Sequence, residues 1–166
     1  MKKNKYNKGL SLVEIMIVIT IFAVIGLLST RSIFLTIRGA KKSDSLIRVR
    51  ENVNYSLSVI ERQIRSAQSV VCPNPSTSKI DYVPTDTDNQ SSFSCVSVGT
   101  GGYIASDSAR LTSSDVSVTS CTFTCAQADI NTPPVVKISV SAQDAVSQTV
   151  EKGTVSIDTQ ITLRNY

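Results

Sequence analysis

Residues 9–28 read GLSLVEIMIVITIFAVIGLL, and what can surround this stretch decides how the remainder of the chain is disposed. From residue 10 to residue 28 one charge, Glu14, interrupts an otherwise apolar run. At about 1.5 Å per residue a helix over that run spans roughly 28 Å, close to the hydrocarbon thickness of a bilayer. The preceding residues, MKKNKYNKG, form a short basic leader with nothing to pack. Its lysines, Lys2, Lys3, Lys5 and Lys8, favour a cytoplasmic N-terminus and an exported remainder. Arg31, Arg38, Lys41 and Lys42 follow on the far side and weaken that charge argument.

The leader also explains the formal net charge of +4, from 17 Lys+Arg against 13 Asp+Glu; without its four lysines the counts are 13 and 13. No global basic field remains, which argues against a nucleic-acid partner. Histidine is absent, excluding His-based triads, general bases and metal sites. With 41% hydrophobic and 18% charged residues in 166, the chain suits one modest domain plus an appendage, not global disorder. Tryptophan is absent and aromatics are 5%, so the core must rest on aliphatic side chains.

A secretory signal peptide or a plain uncleaved anchor would also begin with a basic leader and an apolar run. Against the signal peptide, residues 25–32 read IGLLSTRS, without a small-x-small cleavage site, and a carboxylate sits near the start of the run. An ionised side chain costs about 2.5–3.5 kcal/mol at mid-bilayer, less near the interface, and such groups usually mark function. After Gly9 no Lys or Arg lies within a helical turn of Glu14, so its partner is expected on another chain. A freed α-amino group on a neighbouring copy has the required charge.

Gly9-Leu10-Ser11-Leu12-Val13-Glu14, between a basic leader and an apolar helix, resembles the processing site of type IV prepilins and type II secretion pseudopilins. In that family a membrane aspartyl peptidase cuts after the Gly and methylates the new terminal amine. The resemblance implies cleavage between Gly9 and Leu10, N-methylation of Leu10, and pairing of Glu14 with the N-terminus of an adjacent subunit during filament assembly. Each charge is costly alone in lipid, and docking relieves both. The chain departs from the family pattern in two places. Leu10 stands where Phe is commoner, and Ser29, Thr30 and Arg31 occupy the region where many major pilins carry a helix-bending Pro. The second departure leans toward a minor subunit.

Beyond the membrane run, Leu46, Val49, Val53, Leu57, Ile60, Ile64, Ala67 and Val71 recur at spacings of three and four, an amphipathic helical stripe. Asp44 with Arg48 and Glu61 with Arg65 have the favourable i,i+4 order. Pro73 and Pro75 are expected to stop the helix, so residues 10–71 would form one helix of roughly 90 Å. The stripe fits packing on a sheet better than a dimeric coiled coil. Arg48, Arg50, Arg62 and Arg65 alternate with Asp44, Glu51 and Glu61, the pattern of a solvated face rather than a DNA track.

Residues 73–92 are turn-forming, with a short strand expected over 79–83. Strands follow over 93–98 and 103–111, flanking Gly99-Thr100-Gly101-Gly102 as a hairpin, then over 116–125 and 135–142. Near the end Val155, Ile157, Ile161 and Leu163 alternate with polar residues, one face buried and one wet. This terminal run also resembles the last strand of minor pilins. The expected fold is therefore α+β and type IV pilin-like: a long N-terminal helix, half transmembrane and half amphipathic, packed on an antiparallel β-sheet head. The organisation is a cleaved leader over 1–9, a membrane or filament-core helix over 10–28, an amphipathic helix over 29–72 and a β-rich head over 73–166.

Cys72, Cys95, Cys121 and Cys125 all lie in the exported part, where two disulfides are the default, with three connectivities. On a straight strand Cys121 and Cys125 are roughly 13 Å apart, so a bridge between them needs a tight turn and cross-pairing with Cys72 and Cys95 is slightly favoured. Zinc held by four thiolates is the sharper alternative, disfavoured by the spacing and the compartment. Asp86-Thr87-Asp88-Asn89 hints at calcium but lacks the Gly and terminal Glu of an EF-hand loop. No metal or cofactor is expected.

The function expected is a non-enzymatic minor pilin, single-pass in the inner membrane with a cytoplasmic N-terminus before incorporation into, or priming of, an extracytoplasmic or cell-surface filament. Its partners would be the prepilin peptidase, other pilin or pseudopilin subunits and an inner-membrane assembly platform. The alternatives are a pseudopilin of a type II secretion system, and a membrane-anchored adhesin or DNA-uptake binding protein that does not polymerise.

Overall fold

The computed structural model describes residues 11–72, 77–87, 89–127, 132–147 and 151–164. One helix, α1 (Leu12–Ser66), precedes eight strands: β1 (Ser69–Val71), β2 (Lys79–Val83), β3 (Ser91–Val96), β4 (Tyr103–Ser106), β5 (Ala109–Arg110), β6 (Val116–Ala126), β7 (Val135–Asp144) and β8 (Thr154–Thr162). The chain divides into two units at Ala40, and α1 contributes to both. The architecture is α+β and type IV pilin-like, a long helix with an apolar N-terminal stretch combined with antiparallel sheets.

In the first unit the three threonines of an apolar helix turn their hydroxyls back on its own backbone. Thr20, Thr30 and Thr36 each donate a hydroxyl to the carbonyl four residues earlier, at 2.8, 2.8 and 3.0 Å. A hydroxyl satisfied within the helix can enter an apolar medium at little cost.

In the second unit the three-four stripe is the core face of α1. Val49, Val53, Leu57, Ile60 and Ile64 are buried and Leu46 is half-buried, against a core that includes Phe93, Phe123, Ile80, Ile104, Ile138 and Ile161. Tyr82 and Phe93 stack with ring centroids 5.0 Å apart. Of the two expected ion pairs on the wet side, Glu61 with Arg65 forms, and Asp44 makes none with Arg48.

The helix ends at Ser66 rather than continuing to residue 72. The Gln68 N–H donates to the Val83 carbonyl at 2.8 Å, and Val70 and Val71 pair with Tyr82 and Asp81 in β1. Two adjacent β-branched residues gain more from that ladder than from another helical turn. Ala67, the penultimate stripe position, stays buried outside the helix, whereas Val71 is exposed on the edge strand.

The expected head sheet is two sheets, a five-stranded meander β1-β2-β3-β4-β5 and a three-stranded β6-β7-β8, all antiparallel. Two local features separate them from the simpler reading. The strand expected over 103–111 is broken by a turn at Asp107, whose φ is +50° and whose carboxylate accepts the Ser92 N–H at 2.7 Å. The loop from Gly99 to Gly102 is also more than a hairpin turn, because it docks on β6. Gly99 N–H donates to the Val118 carbonyl and Val118 N–H to the Gly102 carbonyl, at 2.9 and 2.8 Å. A Cβ on Gly102 would run into that Val118 oxygen. The β6–β7 register shifts between Val118 and Ser120, where the β6 backbone serves this loop as well as its own ladder.

Two disulfides tie the sheets together. Cys72 bonds Cys125 and Cys95 bonds Cys121, with α-carbons 5.0 and 6.0 Å apart. Cys121 and Cys125 lie on β6, Cys95 lies on β3 and Cys72 immediately follows β1, so each bridge joins one sheet to the other. All four thiols are consumed, which removes the thiolate zinc alternative. By loop-closure arithmetic each bridge contributes about 3.5–4 kcal/mol.

Candidate functional site

The candidate site is the N-terminal unit of α1, built from its first turn upward. Ser11 precedes the helix, and its carbonyl accepts the N–H groups of Glu14 and Ile15 at 3.0 and 3.3 Å. Glu14 therefore lies in the first turn, where unsatisfied N–H groups and the helix dipole favour a negative charge. Ser11 and Glu14 also have the Ser-x-x-Glu spacing of a capping box, a signal in the sequence that the expectation above did not use. Among the described residues Glu14 has no ion-pair partner.

Around this carboxylate every large apolar side chain faces outward. Leu12 is 76% exposed, Phe22 70% and Leu27 69%, and none of the most apolar window of the helix is buried. The surface is apolar on all sides, not striped, so it requires an apolar medium all round rather than one packed face. It also continues past residue 28: Ile33, Phe34, Leu35 and Ile37 are exposed as well, with Arg31 set among them. From Leu12 to Ile37 the helix covers roughly 39 Å, more than a typical hydrocarbon core of about 30 Å. Gly9 and Leu10, the expected processing residues, lie outside the described residues.

In the second unit one polar cluster bears on how α1 is held. The Ser45 hydroxyl accepts the Gly153 N–H at 2.7 Å and hydrogen-bonds the buried carboxylate of Asp144. Asp144 also accepts the N–H groups of Val146 and Ser147 at 2.8 and 3.1 Å and the Ser147 hydroxyl at 2.8 Å. Burial pushes its acidity toward the neutral form, but the hydrogen bonds from Ser45, Val146 and Ser147 outweigh it and bring the pKa down to about 2. Gly153 approaches so closely that a Cβ there would lie 2.6 Å from the Leu46 nitrogen. Sequence periodicity carries no trace of this cluster, because its members are separated by up to 108 positions.

A polar cleft of about 410 Å³ is lined by Gln63, Tyr82, Asp86, Ser91, Ser106 and Asp107, among others. Tyr82 donates its hydroxyl to Gln63; burial raises its pKa, with a further contribution from the nearby charge of Asp107. Asp88, part of the stretch that hinted at calcium, lies outside the described residues. Among the described residues no three His, Cys, Asp or Glu side chains gather as a metal site.

Comparison with known proteins bears on the N-terminal unit. Residues 4–30 match the family described as the prokaryotic N-terminal methylation motif, the type IV prepilin-like signal. No curated protein and no solved structure matches the chain. The motif indicates a substrate of the type IV pilin or pseudopilin type and points to a structural subunit rather than an enzyme. With the apolar helix that follows, it is consistent with an inner-membrane anchor.

Proposed function

We propose that this protein is a minor pilin, cut between Gly9 and Leu10 by a prepilin peptidase, methylated on Leu10 and built into a type IV pilus filament or its priming complex. The observation that carries the proposal is the coincidence, on one segment, of the methylation motif with a helix exposing apolar side chains on every side and holding Glu14 in its first turn. Before assembly, lipid covers that surface. In the filament, the equivalent helices of other subunits do so, and Glu14 pairs with the N-terminal amine of a neighbour. That pairing relieves two charges that are each expensive in an apolar medium. The β-rich unit, stapled by its two disulfides, faces outward from the filament core.

The deciding measurement is the intact mass and N-terminal sequence of the protein from native membranes and from sheared surface filaments. A chain beginning at N-methylated Leu10 in the sheared fraction is the expected result. A processed chain confined to membranes, dependent on secretion genes, would replace the pilus with a type II secretion pseudopilus. A chain still beginning at Met1, absent from sheared material, would leave an anchored adhesin or DNA-uptake protein.

A further inference from the structure

Three arginines meet at the C-terminal end of α1. Arg62, Arg65, Ser66 and Arg164 line a surface cleft of about 480 Å³. Arg164 is carried there by its backbone, whose N–H donates to the Arg65 carbonyl at 3.1 Å just beyond the end of β8. Basic side chains at such a position usually serve the terminal carbonyls of the helix. In this protein those carbonyls are already occupied. The Ser66 hydroxyl donates to the carbonyls of Arg62 and Gln63 at 2.9 and 3.3 Å. The Ala67 N–H donates to Ile64 at 3.2 Å, the Arg164 N–H takes Arg65, and the Thr85 hydroxyl takes Ser66.

Ion pairing uses one guanidinium, that of Arg65, which bonds Glu61. Among the described residues the side chains of Arg62 and Arg164 have neither an ion-pair nor a hydrogen-bond partner. The nearby carboxylates of Asp86 and Asp107 line a different cleft, which shares only Ser66 with this one. The helix C-terminus contributes about half a negative charge, less than the two unpaired guanidiniums supply.

We propose that this cleft is a binding site for a phosphate group, either inorganic phosphate or a phosphate carried on a larger ligand. The planar guanidinium fork matches phosphate oxygens in a bidentate way, and the two unpaired positive charges balance a phosphate dianion. The site is independent of the filament reading, since every residue in it belongs to the second unit.

The test is equilibrium dialysis of the full chain in detergent micelles against inorganic phosphate and, separately, glycerol 3-phosphate, with chloride holding ionic strength constant. Saturable one-to-one binding is expected, weakened about tenfold by either Arg62→Gln or Arg164→Gln. Arg62→Lys, which keeps the charge and loses the fork, should fall between the wild type and Arg62→Gln. Both side chains are exposed, and Gln at position 164 retains the backbone bond to Arg65, so the fold should tolerate the changes; intact disulfides by mass mapping verify this. Equal affinity for the two probes assigns a bare oxyanion site, and tighter binding of the monoester assigns a phosphate on a larger ligand. The proposal is overturned if nothing saturates up to about 10 mM phosphate, or if binding survives the double variant. An equal loss in Lys137→Gln, on the exposed face of β7, would also overturn it, because only general charge would then be at work.

Discussion

Between Leu12 and Ala40, α1 leaves Leu12, Phe22, Leu27 and Leu28 between 64% and 76% exposed, whereas from Ser45 to Ile64 the same helix buries Val49, Val53, Ile60 and Ile64 completely. Both stretches are rich in aliphatic residues, and both are helical. What differs is spacing. In the first stretch apolar residues fill every position around the helix, and one sheet cannot cover them all. In the second most of them keep to a three-four stripe, with Arg48, Arg50, Glu51 and Arg62 among the remaining positions and only Ile47 and Tyr55 as large exposed exceptions. Apolar content sets how much surface must leave water; its angular distribution sets whether the chain's own head or a foreign medium takes it.

That contrast is broken most directly by truncating one phenylalanine in each region. Phe93→Ala should cost the second unit about 3–5 kcal/mol in denaturant unfolding of the full chain in micelles. Phe22→Ala should leave that transition unmoved, and a comparable loss there would mean that the first unit helps to fold the second. The next largest effect concerns the charge in the first turn. Glu14→Ala should leave membrane insertion intact but lower incorporation into filaments roughly thirtyfold, the equivalent of about 2 kcal/mol of lost charge relief. Normal incorporation by quantitative immunoblotting of sheared material would remove Glu14 from the assembly mechanism.

In the second unit Gly153→Ala places a methyl against the backbone of Leu46 and should cost about 1–3 kcal/mol, seen as a lowered midpoint at unchanged slope. The smallest effect is one of pH. The carboxyl of Asp144 has a native pKa of about 2, below the ordinary Asp value near 4, so its contribution is fully present above about pH 4 and disappears as the pH falls through 2. The melting temperature of the wild type should therefore drop more steeply across that window than that of Asp144→Asn. Parallel curves would show that the hydrogen bonds to Asp144 do not favour its ionised form.

Much of the fold was legible because its signals are local. The strand expected over 79–83 coincides with β2, the one over 116–125 with all but the last residue of β6, and the helical stripe was visible as spacing alone. The misreadings share one cause. The end of α1 is decided by Val70 and Val71 pairing with Tyr82 and Asp81, the break before β5 by Asp107 reaching Ser92, and the docked glycine loop by Val118. Each is a contact with a distant segment, invisible to periodicity. The pairing of Cys72 with Cys125 and Cys95 with Cys121 is non-local in the same way.

The sequence by itself determined that the run over 10–28 is apolar on all sides, that Gly9, Leu10 and Glu14 stand at its start in the prepilin spacing, and that a helix precedes a β-rich region. These properties follow from composition and period, which each residue carries with it. Only the tertiary structure decided that the strands form two sheets, that Gly153 and Asp144 hold α1 at Ser45, and that Arg164 joins Arg62 and Arg65. Those arrangements arise where segments far apart in the chain satisfy one another's backbone and side-chain groups, and that matching exists only once the chain has folded.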